Sequence, residues 1–298
     1  MQPADQALIR AFLEAEKLPP EFADLITEWY LPLAGQLMER RRRLDRPLIV
    51  GINGAQGTGK STLANFLTLM LSEQQLRIAN LSLDDLYLSS GQRRNLAADV
   101  HPLLASRGVP GTHDLELARQ VMLRLADPHS DGQVLLPRFD KAEDEPRPLS
   151  EWEAVDLPVD VVVLEGWFLG LQPESAETLD KPVNSLEADE DRDGIWRRYV
   201  NTRLHAYQPL FAEIDFLVML KAPSFDCVYR WRSLQEQKLA AATGGRGSKV
   251  MDGPTLDRFI QHFERLTRHC LAELPDRADL VFELDENHHI THSQPALH

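Results

Sequence analysis

The stretch Gly54-Ala55-Gln56-Gly57-Thr58-Gly59-Lys60-Ser61 constrains this chain more than any other. It fits G-x-x-x-x-G-K-[ST], the pattern of a loop whose backbone cradles phosphates. Its glycines let the main chain turn sharply and bring N–H groups close to an anion. Lys60 adds a point charge for β- and γ-phosphates, and the Ser61 hydroxyl can ligate Mg²⁺. The flanks agree with the motif. Residues 47–53 form a short apolar run that reads as a buried strand, and residues 61–71 carry apolar side chains at helical spacing. Strand, glycine loop and helix together place a phosphate at a helix N-terminus, where the dipole and free N–H groups favour it. Residues 54–62, ending at Thr62, are therefore expected to bind a nucleoside triphosphate.

Apolar runs and amphipathic segments alternate along the rest of the chain. Residues 4–17 and 22–44 read as helices ahead of the loop. The second ends in Arg40-Arg41-Arg42-Arg43, which suits a solvated helix C-terminus better than an anion patch. Residues 77–83 read as a second strand running into Asp84-Asp85-Leu86-Tyr87. Ligands of open α/β sheets gather at the carboxyl ends of strands, and strand side chains alternate in direction, so one acid of the pair is expected in the site. Leu88-Ser89-Ser90-Gly91-Gln92 matches the signature of ABC transporter ATPases but stands in the wrong part of the chain, and reads as a loop. Residues 101–114 read as a Gly- and Pro-containing loop, with Asp114 capping the next helix. Residues 133–141 read as an extended piece followed by a polar loop to 158.

The clearest buried strand is 159–167, a β-branched run ending in Glu165-Gly166, where a terminal carboxylate can order Mg²⁺ or its waters. Residues 171–194 are polar and acidic and read as a surface insertion with the composition of a mobile segment. Helices are expected over 195–210, 225–242 and 254–274, strands over 214–220 and 279–284, and a basic loop over 243–249. The tail, with His288, His289, His292 and His298, reads as a frayed end rather than a metal site. Strands alternating with helices predict an α/β, three-layer P-loop NTPase fold with a mainly parallel sheet. The expected organisation is a helical extension over 1–46, a catalytic domain over 47–285 with the 172–194 insertion and a lid region at 225–250, and a tail over 286–298.

The 298 residues, 43% of them hydrophobic, suffice for a sizeable core. A net charge of −14, from 46 acidic and 32 basic residues, repels nucleic acid and anionic membranes. A small molecule is thus the expected partner; a homo-oligomer is compatible with the sequence but not legible in it. Cys227 and Cys270 match no metal spacing and fit the packed thiols of a reduced, cytoplasmic protein. No basic segment leads into an apolar core at the N-terminus, and no run approaches the roughly 18 apolar residues of a membrane span.

Phosphoryl transfer needs a phosphate cradle, a metal, cations over the migrating group and a carboxylate to take the acceptor's proton. The cradle is residues 54–61; Ser61 and Glu165 are the metal side; Asp84, at a strand end next to the P-loop strand, is the candidate base; Arg230 and Arg232 are either lid cations or helix-surface arginines. A nucleotide-dependent switch of the GTPase type would read guanine with Asn-Lys-x-Asp, which is absent.

Taken together, the phosphate loop, Leu81-Ser82-Leu83-Asp84-Asp85-Leu86-Tyr87, Gly108-Val109-Pro110-Gly111-Thr112-His113-Asp114 and Val163-Leu164-Glu165-Gly166 resemble the P-loop kinases of the phosphoribulokinase, uridine kinase and pantothenate kinase superfamily. Glu165-Gly166-Trp167-Phe168-Leu169-Gly170 and Tyr229-Arg230-Trp231-Arg232, with Gln235-Glu236 and a helix over 259–274, make the D-glycerate 3-kinase family the nearest resemblance, over residues 47–285. The resemblance implies an ATP- and Mg²⁺-dependent kinase that phosphorylates a hydroxyl of a small hydroxy acid, D-glycerate. It implies Asp84 and Lys60 as catalytic residues and places Arg230 and Arg232 at the lid. It implies an acceptor site between the Asp84 strand, the 108–114 loop and the 138–141 segment, where Tyr87, Arg107, His113, Arg138 and Lys141 are candidates. A nucleoside or pantothenate-like alcohol, or a nucleotide-binding regulatory role, remain the competing readings.

Overall fold

The computed structural model describes residues 3–243, 253–295 and 297. Helices α1 (Pro3–Glu16), α2 (Phe22–Leu25) and α3 (Leu31–Arg41) come first, the last two joined by one π-helical turn, Ile26–Tyr30. Then follow β1 (Leu48–Gly54), α4 (Lys60–Glu73), β2 (Ile78–Ser82), α5 (Ser90–Asp99) and α6 (Leu115–Ala126). The middle of the chain holds β3 (Gln133–Leu136), β4 (Phe139–Asp140), β5 (Glu145–Pro146), β6 (Glu153–Asp156) and β7 (Val161–Gly166). The remainder is α7 (Ser185–Glu190), α8 (Ile195–Leu204), α9 (Gln208–Phe211), β8 (Phe216–Lys221), α10 (Phe225–Thr243), α11 (Gly253–Glu273), β9 (Leu280–Leu284) and β10 (Ile290–Gln294).

The main sheet runs β10-β9-β8-β1-β7-β2, parallel throughout except at the β9–β10 edge. Both faces are covered, which is why β1 and β7 are apolar on both sides of the pleat up to Asn53 and Glu165 near their ends. Leu48, Val50, Ile52, Val161 and Val163 pack on one side with α4 and the N-terminal helices. Ile49, Val162 and Leu164 pack on the other with α6 and α8. The N-terminal helices form an added layer over α4, with Phe12 and Tyr30 against Phe66 at ring separations of 5.4 and 5.6 Å. The expected three-layer, mainly parallel architecture is the one observed. Among the described residues no helix is long and apolar enough to cross a membrane, and both cysteines are buried and free.

Several local expectations need correction. β7 lies between β1 and β2, so the Asp84 strand is not the immediate neighbour of the P-loop strand. Ser89 opens α5 with a capping box to Gln92, so the stretch expected as a loop at 88–92 is a helix start. The 133–158 segment is not one extended piece and a loop: β3 pairs with β6 and β4 with β5. The arginine run is only half solvated: Arg41 donates to Asp160 at 2.9 Å and Arg40 lies 4.3 Å from the Phe216 ring centre, while Arg42 and Arg43 pair with Glu39. The tail, expected to fray, supplies the edge strand β10, with Ile290 and Ser293 buried. The basic loop expected at 243–249 lies, beyond Thr243, outside the described residues.

The acidic stretch 171–194 is packed, not loose. Arg265 of α11 forks onto Glu187, Nε to Oε1 at 2.7 Å and NH2 to Oε2 at 2.6 Å, and also reaches Glu174 at 3.4 Å. Leu179 and Leu186 are buried, and Asp191 caps the start of α8 through the Trp196 and Arg197 N–H groups. Both members of the Arg265–Glu187 pair are nearly inaccessible, with side-chain exposures of 7% and 1%. Removing Glu187 leaves the buried Arg265 only its longer 3.4 Å contact to a carboxylate, at Glu174, and the Thr178 and Lys181 carbonyls. We predict that Glu187→Ala lowers the unfolding free energy by about 3 kcal/mol in urea titration. A change within about 0.5 kcal/mol, the surface value, would mean that the segment is not anchored there.

Candidate active site

β1 delivers the phosphate loop. Gly57 and Gly59 adopt φ of 84° and 89°, in the left-handed region that side chains disfavour. A Cβ on Gly54 would collide with the Thr58 side chain, itself bound to the Ala55 carbonyl at 2.9 Å. Asn53 donates to the Leu169 carbonyl at 2.9 Å and so ties the end of β1 to the turn after β7. Gly59 is the N-cap of α4 and contributes no side-chain cap. The first N–H groups of the helix, at Lys60, Ser61 and Thr62, have no intrahelical acceptor and are available to an anion.

The register of β7 sets Glu165 level with Ile52 of β1 and Ser82 of β2. Ser61 donates to Glu165 Oε1 at 2.7 Å, and Lys60 Nζ stands 3.8 Å from Oε2. Glu165 Oε2 is buried without a hydrogen-bond partner. A buried carboxylate oxygen with no donor beside a hydroxyl is a donor set for a hard cation. Among the described residues no group of three or more His, Cys, Asp or Glu side chains could hold a metal. Any Mg²⁺ here would complete its shell with water and nucleotide phosphate oxygens, its usual habit.

β2 stops at Ser82, whose Oγ caps a 3₁₀ turn by accepting from Asp84 N at 3.2 Å. The two acids diverge because of that turn rather than by strand alternation. Asp85 accepts from Phe139 N at 3.1 Å and faces Arg138, fastening β4. Asp84 accepts from Tyr87 OH at 2.7 Å and Lys141 Nζ at 3.1 Å. Burial works to raise its pKa, but the charges of Lys141 and Lys60 and the Tyr87 bond outweigh burial and hold the carboxyl well below its usual range. Asp84 is therefore ionised, and it lies within the field of the phosphate-loop lysine.

The other acceptor-site candidates divide. His113 bridges to Tyr87 in a short β-contact and packs against its ring at 4.5 Å. Burial lowers its pKa to about 3, so the imidazole is neutral. Tyr207 Oη accepts from Gly111 N at 3.1 Å and stands 2.7 Å from His113 Nδ1, and His113 Nε2 is buried with no hydrogen-bond partner. Arg107 is bound to Asp144 and, at 3.3 Å, to the Lys141 carbonyl. Arg138 is drawn off to Glu153, at 2.5 Å, and Asp85, and is not brought to Asp84.

The lid arginines are not brought together. Residues two apart on a helix do not share a face. Arg230 pairs with Glu286 at 3.1 Å and touches Cys227 Sγ, whereas Arg232 lies over the Phe259 ring of α11. Between them Trp231 donates to the Glu286 carbonyl and stacks on His288 at 4.1 Å, and His288 reaches the Gly57 backbone. Thus α10 adjoins the phosphate loop through the β9–β10 turn. Asn53, which anchors the end of β1, and Tyr207, which holds Gly111 and His113, were not legible as parts of this candidate site. Their partners lie far along the chain, and only the position of Asn53, directly before the loop, carried a signal.

No family model matches the chain. It is 35% identical over 264 residues, covering 81% of this chain and 89% of the relative, to an uncharacterized kinase, mug58, of Schizosaccharomyces pombe. It is 28% identical over 253 residues to the chloroplastic D-glycerate 3-kinase of Arabidopsis thaliana, covering 80% of this chain and 53% of that protein. The solved D-glycerate 3-kinase of Cryptococcus neoformans superposes with a TM-score of 0.71 at 25% identity, covering 89% of this chain and 98% of that one.

Proposed function

This chain belongs to the D-glycerate 3-kinase-like family of P-loop kinases, and from that premise we propose that its acceptor is D-glycerate. It is an ATP-dependent kinase, a phosphotransferase with an alcohol group as acceptor. The observation that carries the mechanism is Asp84, an ionised carboxylate at the end of β2 within the field of Lys60. The acceptor hydroxyl donates to Asp84, its oxygen bonds to the γ-phosphorus as the bridge to ADP breaks, and its proton passes to the carboxylate. Asp84 is a weak base while Lys60 and Lys141 face it. Phosphates bound at Lys60 offset one of those charges and raise its basicity as the nucleotide arrives.

Lys60 and the N–H groups of α4 hold the phosphates, and the loop residues 54–62 form the cradle. Ser61 and Glu165 are assigned to Mg²⁺, which when bound neutralises phosphate charge. Tyr87 and Lys141 orient Asp84, and His113 offers its unpartnered Nε2 to the acceptor. Arg107 is the cation for the acceptor's carboxylate; Arg138 is assigned to the scaffold. Arg230 and Arg232 belong to the α10 lid region, where Arg230 acts by fastening the β9–β10 turn beside the phosphate loop. The kinase unit spans residues 47–285 with the N-terminal helices as a covering layer. The acidic balance of −14 disfavours nucleic acid as a partner, and two buried thiols fit a reducing cytoplasm.

Coupled ADP release with D-glycerate, L-glycerate, glycerol, lactate, uridine and pantothenate tests the acceptor. We expect the highest kcat/KM for D-glycerate, with a 3-phosphate product by phosphorus NMR and an absolute need for a divalent cation. Absence of glycerate-stimulated turnover while uridine or pantothenate supports it would reject D-glycerate and keep the kinase.

A further inference from the structure

Two arginines converge on one carboxylate beside the proposed base. Arg93, on α5, is fully buried and forks onto Asp144, NH1 to Oδ1 at 3.1 Å and NH2 to Oδ2 at 2.5 Å. Arg107 donates to the same Oδ1. Asp144 sits in the turn between β4 and β5, with φ of 59° and 41% of its side chain exposed. Two guanidiniums thus share one carboxylate, and neither has an Asp144 oxygen pair to itself. Acceptors are also in short supply, since Arg93 Nε is buried with no hydrogen-bond partner.

The same turn carries Lys141, three residues before Asp144. Lys141 Nζ caps Asp84, and its carbonyl takes an NH2 of Arg107. A hydroxy acid bound with its hydroxyl on Asp84 presents its own carboxylate to groups in this neighbourhood. Arg107, with 25% of its side chain exposed, is reachable, whereas Arg93 is not. Asp144 can give up Arg107 and keep Arg93, so that no buried charge is stranded. The incoming carboxylate then gives Arg107 a partner that it does not share, in the forked geometry arginine favours.

We propose that Arg107, backed by Arg93, is the subsite for the acceptor's carboxylate, and that Asp144 occupies it as an internal stand-in that the substrate displaces from Arg107. This rests on the hydroxy-acid reading above and makes acceptor affinity a competition between two carboxylates.

The sign of the response to Asp144→Asn decides the matter. The asparagine carbonyl still accepts from the buried Arg93, which loses its carboxylate, so the test is read on variant protein whose melting shows it folded. With the competing charge removed, the KM for D-glycerate should fall about threefold to tenfold while the KM for ATP and for glycerol, which has no carboxylate, stays within about twofold. A higher or unchanged glycerate KM overturns the stand-in, since a residue that only positions Arg107 would weaken binding when altered. Arg107→Gln, at a partly exposed position, should raise the glycerate KM at least about tenfold and leave glycerol alone. An equal effect on both acceptors overturns the subsite. Calorimetric titration of nucleotide-free protein with D-glycerate and with lactate separates this inference from the choice of acceptor. Binding that tightens in Asp144→Asn and vanishes in Arg107→Gln supports the subsite even in an enzyme that does not turn glycerate over. No binding of either carboxylate to any of the three proteins overturns it.

Discussion

Replacing Asp84 by asparagine should lower kcat by about 10³-fold or more while nucleotide affinity changes little, the loss expected when a positioned general base is removed. Asparagine keeps the shape and can still accept from Tyr87, whose OH bonds Oδ1 at 2.7 Å, so the 3₁₀ turn after β2 should persist. What disappears is the charge that draws in the acceptor's proton, together with the partner of Lys141 Nζ at 3.1 Å. The resulting signature is a kinetic one: kcat and kcat/KM fall by similar factors, because the hydrogen bond from the acceptor hydroxyl to Asp84 gains most of its strength as the proton leaves. Single-turnover quench gives the chemical step, and equilibrium titration of an ATP analogue gives binding. Turnover within about tenfold of wild type would place the base elsewhere. Asp85 is then a poor substitute, committed as it is to Phe139 N and Arg138.

The parts that could be read from the sequence are those whose physics is local. β1 and β7 are buried on both faces, so Leu48–Ile52 and Val161–Leu164 run without a polar side chain. The phosphate loop announces itself because its turn demands glycine at φ near 84° and 89°. Asp114 caps α6 as an Asp before an amphipathic run should, accepting from Leu117 N at 2.9 Å. Strand order is different, because an apolar run does not encode its neighbours, and β7 took the place beside β1 that was expected for β2. The 171–194 stretch looked unpackable because its acids outnumber its apolar residues; the cation that neutralises Glu187 is Arg265, on a helix far along the chain. β10 alternates weakly, as an edge strand can, and only its pairing with β9 reveals it. Arg93 shares a polar helix with Arg94 and reads as surface, yet the β4–β5 turn folds over it and buries it. In the candidate site, then, the groups proposed to hold phosphate could be read locally, and those proposed to select the acceptor, set by contacts between distant segments, mostly could not.

Lys60→Ala should lower kcat/KM for ATP by about 10²–10³-fold, the scale seen when one preorganised donor to a developing charge is lost. The ammonium is well placed for that role: its side chain is 12% exposed, and its salt-bridge partner, Glu165 Oε2, stands 3.8 Å away, beyond a hydrogen bond. It is therefore paired loosely enough to turn to a phosphate. Removing it acts twice, since Lys60 is also one of the two lysines that hold the Asp84 carboxyl ionised. Without it Asp84 retains Lys141, and its pKa rises toward the ordinary value. Lys60→Arg should recover the charge but not the rate, because a planar fork cannot occupy the compact position of an ammonium. The division between the two kinetic constants is the informative result. A fall in kcat at saturating ATP shows that Lys60 acts on the charge that develops during transfer. A rise in KM with kcat unchanged would show that it merely holds the nucleotide, and the transition-state role assigned to it would be wrong.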